Sequence, residues 1–552
     1  MKYFLKSVLF LCCAALILSA CEGQFDSLVD ERLEENPPPD SVNANSGDAD
    51  FSNYVAIGNS LTAGFMDAAL YNLGQQNSIP ALLAGQLERA GAPETFNQPD
   101  INSELGFNTS LNQDPEGGNI LGRFKLDTSI PGPSPTLGGE LPSPFTGDVS
   151  TLNNFGVPGI VVGQLLTPGT GNPQSPAFNP FYARFASSPG SSTILSDAIE
   201  TQPTFFSLWI GNNDVLGFAL SGGANPALLT AAGDFDNQFN TVIDQLINNT
   251  TANGVVVTIP PVTVIPFFRA VPFNAIALDD ATATQLNQAL GAVNAALQAV
   301  ADNFPNVSQE EVDARMIAYQ QGANPILVND PELNDFEDEF DQLQAAGAIN
   351  AQQRAALVPY EQSRPLTQGE LVTLAAGSVL GTPANPDSQA PTTIGVVIPL
   401  GLGSAANGDE FYLTLQEQGQ IQARTVQFNT TIATAVAQNS DRLALFDINA
   451  GFPGNPNTNL GAFADLFGID GELGIRINGT LLQPDFSPNG VFSTDGVHPN
   501  PRGYAILANE FIRVIENNFG ATIPRVDVLD LPSVQLCAGD CVSQQGGGEE
   551  DS

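Results

Sequence analysis

The chain has 552 residues, 42% of them hydrophobic, so it can bury a large core and does not have the composition of a disordered protein. Its 17 lysines and arginines face 59 aspartates and glutamates, which gives a formal net charge of −42 at pH 7. Such an anionic protein repels phosphate groups, so the composition argues against a nucleic-acid partner and favours solubility.

The first twenty residues have the pattern of an export signal. Lys2 and Lys6 precede an apolar run over residues 8–18, which is too short to be a membrane span. We therefore expect residues 1–20 to be a signal peptide. Its removal takes the formal charge from −42 to −44, because two lysines and no acids leave.

The end of this signal, Leu18-Ser19-Ala20-Cys21, resembles the lipobox of bacterial lipoproteins. The resemblance implies a lipid-modified Cys21 that attaches the protein to a membrane of the bacterial cell envelope. An ordinary signal peptide with a chance cysteine is the alternative. The acidic residues 21–50, which include three consecutive prolines, predict a disordered tether behind the anchor.

An α/β domain is predicted over residues 51–530. Apolar strands are predicted at 54–57, 205–210, 254–259 and 443–448, and the clearest helices at 281–303, 413–438 and 501–518. This alternation predicts a mostly parallel sheet that is covered on both faces. Two irregular regions rich in Gly, Pro, Asn and Ser, near 71–150 and 305–407, are predicted to be insertions or a lid.

The last segment, residues 531–552, is predicted to be a tail that carries a cysteine pair. Of the five cysteines, Cys12 and Cys13 leave with the signal and Cys21 is the anchor, which leaves Cys537 and Cys541. In an oxidising exported compartment we expect these two to form a small disulfide. A zinc site is the weaker interpretation, because two thiols without a nearby histidine fall short of a zinc shell.

One histidine, His498, is present in the whole chain, and Asp495 precedes it by three residues. Histidine is the side chain suited to general-base chemistry near neutral pH. Asp495 can accept a hydrogen bond from the other ring nitrogen and so orient the imidazole. Ser60 follows the first predicted strand by a glycine turn, which predicts a hydroxyl exposed at the carboxyl edge of the sheet and beside a helix N-terminus.

Two further residues could stabilise negative charge on oxygen. Asn213 offers a side-chain N–H, and the backbone N–H groups of Gly159 and Ser60 could complete an oxyanion hole. Taken singly, each residue has an ordinary structural interpretation. Ser60 can cap a helix, Asn213 can belong to a turn, and Gly159 can serve a loop with positive φ.

Four segments in chain order resemble the four blocks of the SGNH, or GDSL, hydrolase family. They are AIGNSLTAG with Ser60, NFGVPG with Gly159, IGNND with Asn213, and DGVHP with Asp495 and His498. The resemblance spans residues 54 to about 517 and implies a three-layer α/β/α, flavodoxin-like fold. It also implies serine-dependent hydrolysis of carboxylic esters, of esterase or lipase type, with no cofactor and no metal.

The chain departs from the family at Asn59, where the usual first block has aspartate. Asparagine keeps an acceptor oxygen but loses the charge, so weakened activity is one expectation. A weakly active or non-catalytic envelope lipoprotein that binds lipid is therefore an alternative, and a carbohydrate O-deacetylase is another. The inventory of 34 phenylalanines and one tryptophan, Trp209, leans towards ester or lipid substrates over glycans.

Other motifs match less well. The segment around Ser60 has Thr62 where a GxSxG elbow needs its second glycine. Residues 401–406 fit a dinucleotide-binding GxGxxA pattern, but the residues after them do not open a helix. The acidic run 330–341 lacks the glycine and spacing of a calcium loop, so we interpret it as a solvated helix face.

Overall fold

The structure is a computed structural model that describes residues 43–111, 118–129, 132–385, 393–402, 411–452, 455, 461–468 and 473–542. The predicted signal peptide, Cys21 and most of the predicted tether lie outside the described residues, as do residues 403–406 of the GxGxxA motif and the end of the tail. Within the part that is described, no helix is both long and apolar enough to cross a membrane.

A five-stranded parallel sheet forms the centre of the fold. Its strands are β1 (Tyr54–Gly58), β2 (Asn154–Gly156), β3 (Phe205–Trp209), β4 (Asn253–Val257) and β5 (Leu443–Phe446). Their order across the sheet is 2-1-3-4-5. Ile57 on β1 lies between Phe155 on β2 and Leu208 on β3. The predicted α/β class with a mostly parallel sheet is confirmed.

The order of the strands reverses direction beside β1. The chain passes from β1 to β2 on one side and then to β3 on the other side. Crevices at the carboxyl ends of strands at such a switch point are where open α/β sheets bind ligands. Strand β2 was not predicted, because its three residues Asn154, Phe155 and Gly156 are too few to show an apolar run.

The main helices are α1 (Ser60–Ala63), α2 (Ile79–Leu87), α3 (Asn213–Leu220), α4 (Ala232–Asn249), α5 (Asp280–Asn303), α6 (Leu415–Gln438) and α7 (Pro501–Phe519). Helices α6 and α7 both pack on β4 and β5. Because α6 otherwise packs on α4 whereas α7 packs on α2, the two pairs cover opposite faces of the sheet. Phe235 of α4 stacks on Phe428 of α6, with ring centroids 3.8 Å apart.

Smaller elements surround this body. Further α-helices lie at Asn72–Gln76, Pro180–Ala183, Ile194–Glu200, Gln309–Arg315, Glu337–Ala345, Ala351–Leu357 and Ala462–Leu466. Antiparallel pairs join Leu121–Asp127 to Gly132–Leu137, Ile276–Leu278 to Gly322–Asn324, Leu327–Asn329 to Ser363–Pro365, Leu371–Val372 to Tyr412–Leu413, and Ile475–Ile477 to Thr480–Leu482. Short 3₁₀ turns at Pro266–Phe268 and Leu374–Ser378 line one cavity.

A second hydrophobic core lies between Ile276 and Tyr412. Helix α5 buries Leu290, Leu297 and Val300 there rather than on the central sheet. The structure therefore corrects the predicted insertion at 305–407. The unit begins about thirty residues earlier than predicted, and it folds around its own core instead of being irregular. The prediction was wrong because Gly, Pro and Asn residues between the short helices and strands of this unit made the whole region look irregular.

The predicted insertion at 71–150 is corrected in part, since it contains helix α2, which packs on α7 in the main core. The predicted tether also ends earlier than residue 50. Asn45 pairs with Thr522 through two backbone hydrogen bonds of 3.0 and 2.9 Å, and Ala49 is buried. These backbone bonds hold an otherwise polar segment against the body.

The C-terminal segment is docked on the hairpin formed by Leu121–Asp127 and Gly132–Leu137. Leu126 donates its N–H to the Gln535 carbonyl (2.9 Å) and accepts from the Cys537 N–H (3.0 Å). Cys537 and Cys541 are joined by a disulfide, with their Cα atoms 5.7 Å apart. The cysteine pair thus closes a small loop in a segment that extends the hairpin.

Candidate active site

Ser60 begins helix α1 at the carboxyl end of β1. The strand ends at Gly58, where a Cβ atom would lie 2.4 Å from the Trp209 carbonyl oxygen, so only glycine fits. Asn59 caps the helix, because its side-chain oxygen accepts from the Leu61 N–H at 3.1 Å. This turn places the Ser60 hydroxyl at the switch point of the sheet.

The three residues predicted for proton transfer lie in one hydrogen-bonded line. The Ser60 Oγ is 2.9 Å from the His498 Nε2, and the His498 Nδ1 is 2.9 Å from the Asp495 Oδ2. The carboxylate acceptor favours the tautomer that carries its proton on Nδ1. The Nε2 lone pair then points at the serine hydroxyl, which is the arrangement that activates a serine nucleophile.

Asp495 is held as an anion by five hydrogen bonds. Its burial opposes ionisation, but the adjacent His498 and the hydrogen-bond donors outweigh that cost and lower the pKa of Asp495 to about 2. The donors besides the imidazole are the Ser493 hydroxyl and the backbone N–H groups of Val497, His498 and Ala68, at 2.8–3.0 Å. The carboxylate is therefore charged near neutral pH.

The loop that carries His498 is held by a tight turn before the histidine and by a helix cap after it. Gly496 adopts a φ of +72° that allows the tight turn between Asp495 and His498. Beyond it, Asn500 caps α7 through the N–H groups of the first turn, and Pro501 opens the helix. The ring of Phe65 packs against the imidazole, with centroids 5.0 Å apart.

The predicted oxyanion donors border the same cavity as Ser60. Gly159 has a φ of +78°, and its Cα faces open space. Asn213 is the first residue of α3, and three residues separate it from the end of β3. Its amide donates one N–H to the Ile160 carbonyl at 2.8 Å, which leaves a second N–H on the same nitrogen. The set can surround the oxygen of a tetrahedral intermediate.

Asp214 ties these two donors together, although the sequence did not single it out. Its carboxylate accepts from the Val162 N–H (3.0 Å) and the Thr230 hydroxyl (2.8 Å), so it binds the loop after Gly159 to the start of α3. Burial raises the pKa of Asp214 to about 6. Asp214 directly follows Asn213 in the GNND segment, and an acid next to a predicted site residue was the sequence signal that could have identified it.

A cavity of about 1120 Å³ opens over Ser60 and His498. Its walls are largely apolar and include Phe65, Phe181, Leu216, Leu220, Phe267 and Phe486. Part of the wall comes from the predicted insertions, through Phe124 of the hairpin and Leu374. Val271, which precedes the second insertion and packs against the second core, also lines the cavity. The insertions therefore shape the site, as a lid would.

Asn59 supports the turn before Ser60. The side-chain oxygen performs the capping, while the buried Nδ2 makes no hydrogen bond within the described part of the chain. What changes relative to aspartate is the charge behind Ser60, and the contact between Ser60 and His498 is present without that charge.

No group of three or more His, Cys, Asp or Glu side chains that could hold a metal ion is present among the described residues. A search against models of protein families finds none that matches this chain. Searches of curated proteins and of solved structures also return no match.

Proposed function

We propose that this protein is a serine-dependent carboxylic ester hydrolase of esterase or lipase type. The observation that carries the proposal is the line of two 2.9 Å contacts from Ser60 through His498 to Asp495, at the base of an apolar cavity. The strand order 2-1-3-4-5 is that of flavodoxin-like folds. Together with the four blocks in family order, it supports membership of the SGNH hydrolases.

In the proposed reaction, His498 Nε2 takes the proton of Ser60 as Oγ attacks the ester carbonyl. Asp495 stabilises the imidazolium that forms. The negative oxygen of the tetrahedral intermediate receives hydrogen bonds from the N–H groups of Ser60, Gly159 and Asn213. The imidazolium then gives its proton to the leaving alcohol, and water repeats the sequence on the acyl-enzyme.

The substrate class follows from the shape of the cavity. Its volume of about 1120 Å³ exceeds the usual range for small-molecule sites, and an acetyl group would fill little of it. Trp209 is only 3% exposed and packs near Phe446 and Phe511, so it offers no face for a sugar ring. Both observations favour long acyl or lipid esters over acetylated glycans.

The cellular setting belongs to the same proposal. Lipid attachment at Cys21 would hold the hydrolase on a membrane of the cell envelope, where lipid esters are at hand. The strongly negative charge of the chain argues against a nucleic-acid partner.

The decisive experiment is hydrolysis of a p-nitrophenyl ester series from acetate to palmitate. The protein would begin at residue 21 and carry Cys21→Ser, so that no lipid is attached. We expect Ser60→Ala and His498→Ala to abolish hydrolysis and covalent labelling by a serine-directed phosphonate. Ser378→Ala, which removes another hydroxyl at the cavity wall, serves as the matched control and should keep both activities.

The other outcomes distinguish the alternatives. Equal rates for the wild type and Ser60→Ala would refute the hydrolase proposal. A folded protein that labels at no serine and retains intact co-purified lipid would support a lipid-binding role. An optimum at acetate, with faster release from acetylated glycans than from acyl lipids, would support an O-deacetylase.

A further inference from the structure

A strained turn lies behind the triad, between Met66 and Ala69. These two residues exchange backbone hydrogen bonds of 3.2 and 3.0 Å, and the central residues Asp67 and Ala68 have φ angles of +54° and +60°. This is the geometry of a type I′ turn, which normally takes glycine at its second central position. A non-glycine residue such as Ala68 persists there only where its surroundings hold it.

The two central N–H groups of this turn support Asp495, one directly and the other through the Ser493 hydroxyl. The Ala68 N–H donates to Asp495 Oδ2 at 3.0 Å, the same oxygen that faces His498 Nδ1. The Asp67 N–H donates to the Ser493 hydroxyl at 3.0 Å, and that hydroxyl donates to Asp495 Oδ1 at 2.9 Å. The left-handed backbone thus sets the position of both carboxylate oxygens.

The side chain of Asp67 fastens the turn to the loop of the triad. Its Oδ1 accepts from the N–H and hydroxyl of Thr494, at 2.9 and 2.6 Å, and its Oδ2 accepts from the Tyr71 hydroxyl at 2.7 Å. Arg123 Nη1 lies 3.5 Å from the same Oδ2, and both side chains of this ion pair are 6% exposed. Thr494 directly precedes Asp495, so this cluster fixes the backbone one residue before Asp495.

We propose that Asp67 and Arg123 are positioning residues that hold Asp495, and through it His498, in the productive geometry. The inference rests on the proposed ester hydrolysis. Neither residue need touch the substrate. Arg123 belongs to the hairpin strand Leu121–Asp127, whose neighbouring Phe124 lines the cavity, so one peripheral element forms the cavity wall and also supports the acid of the triad.

The variant Asp67→Asn tests this assignment. The amide oxygen can still accept from Thr494, but the amide nitrogen faces Arg123, which leaves a buried guanidinium without its counter-charge. We expect kcat for p-nitrophenyl butyrate to fall about 10- to 100-fold while KM stays nearly constant, because binding is unaffected and geometry is disturbed. In the double variant with Arg123→Gln, part of the loss should be recovered, since the unpaired charge is gone.

The chain's single histidine supplies a readout that does not depend on activity. In ¹⁵N-histidine-labelled protein, the Nδ1–H signal of His498 reports its bond to Asp495, and it should shift or broaden in Asp67→Asn. Asp197→Asn is the matched control, because Asp197 is equally buried and accepts from the Tyr182 hydroxyl and from Ser187. It should leave both kcat and the Nδ1–H signal unchanged.

A second variant covers the case in which Asp67→Asn does not fold. Thr494→Val removes one hydrogen bond to Asp67 and keeps the ion pair, and it should lower kcat with the same imidazole signature. Wild-type kcat and an unchanged Nδ1–H signal in a folded variant would overturn the assignment. If the wild type hydrolyses no ester, the proposed function fails, and the imidazole signal alone then decides whether Asp67 positions Asp495.

Discussion

Replacement of Asp495 by asparagine is the most informative single change, because it conserves shape and removes one acceptor and the charge. If the amide oxygen keeps the place of Oδ1, it retains the bonds from Ser493, Val497 and the His498 backbone. The amide nitrogen then replaces Oδ2, where it meets two donors, the Ala68 N–H and the His498 Nδ1–H.

The size of the effect follows from this conflict. The imidazole can relieve it by moving its proton to Nε2 and accepting from the new amide at Nδ1, but Nε2 then has no lone pair for Ser60. Returning to the reactive tautomer leaves two buried N–H groups without an acceptor, at about 1–3 kcal/mol each. The imidazolium also loses its counter-charge. At about 1.4 kcal/mol per tenfold, we expect kcat/KM to fall about 10³- to 10⁴-fold.

The assay is steady-state hydrolysis of p-nitrophenyl butyrate, with kcat and KM determined separately. The loss should fall on kcat, because the apolar walls of the cavity are untouched. A ¹⁵N spectrum of the single histidine should show the change from the Nδ1–H to the Nε2–H tautomer. Asp197→Asn again provides a control, since it replaces a buried carboxylate outside the triad.

A variant Asp495→Asn that retains more than about a tenth of the wild-type kcat/KM would refute the reasoning. So would a large loss with the imidazole still in its wild-type tautomer. In either case Asp495 would not be the group that orients His498.

Three further predictions concern the surroundings of the triad. Asn213→Ala should lower kcat about 10²- to 10³-fold, because it removes one of the proposed oxyanion donors, and unchanged kcat would exclude that role. Arg315→Leu should destabilise the second core by about 3–5 kcal/mol, because its fully buried guanidinium binds Glu311 and two carbonyl groups. Hydrogen exchange should then rise between residues 276 and 412, while phosphonate labelling of Ser60 persists. Burial raises the pKa of Asp214 from 3.8 to about 6, so the folded state binds this proton more tightly than the unfolded state does. Between pH 4 and pH 7 the wild type should lose about 2 kcal/mol of unfolding free energy relative to Asp214→Asn. A difference in urea unfolding free energy that does not change with pH would contradict this.

The main strands were predictable from sequence because a central parallel strand is buried on both faces and must be an apolar run. The runs at 54–57, 205–210, 254–259 and 443–448 correspond to β1, β3, β4 and β5. Strand β2 was not predicted, because an edge strand of three residues does not need an apolar run. The sequence predicted a helix at α5, but it did not predict that this helix packs in the second core. That packing depends on contacts with residues distant in sequence.

The candidate site divides in the same way. Ser60, His498 and Asp495 were found from sequence because the chemistry needs these residue types and the chain has one histidine. Asp67, Arg123 and Asp214 were not found, since buried carboxylates and guanidinium groups acquire their roles from partners distant in sequence. Asp67 and Thr494 are 427 residues apart.

The sequence by itself determined the class of fold, the chemical types at the site and their order along the chain. These depend on local properties, namely hydrophobic periodicity, turn-forming glycines and the ionisable character of one imidazole. The tertiary structure alone decided that Ser60 and His498, which are 438 residues apart in sequence, lie 2.9 Å from each other. It also decided that residues beside the second core and residues of the hairpin line the cavity above them. Such distances arise only when the sheet and its helices pack, because burial of apolar surface acts without regard to separation along the chain.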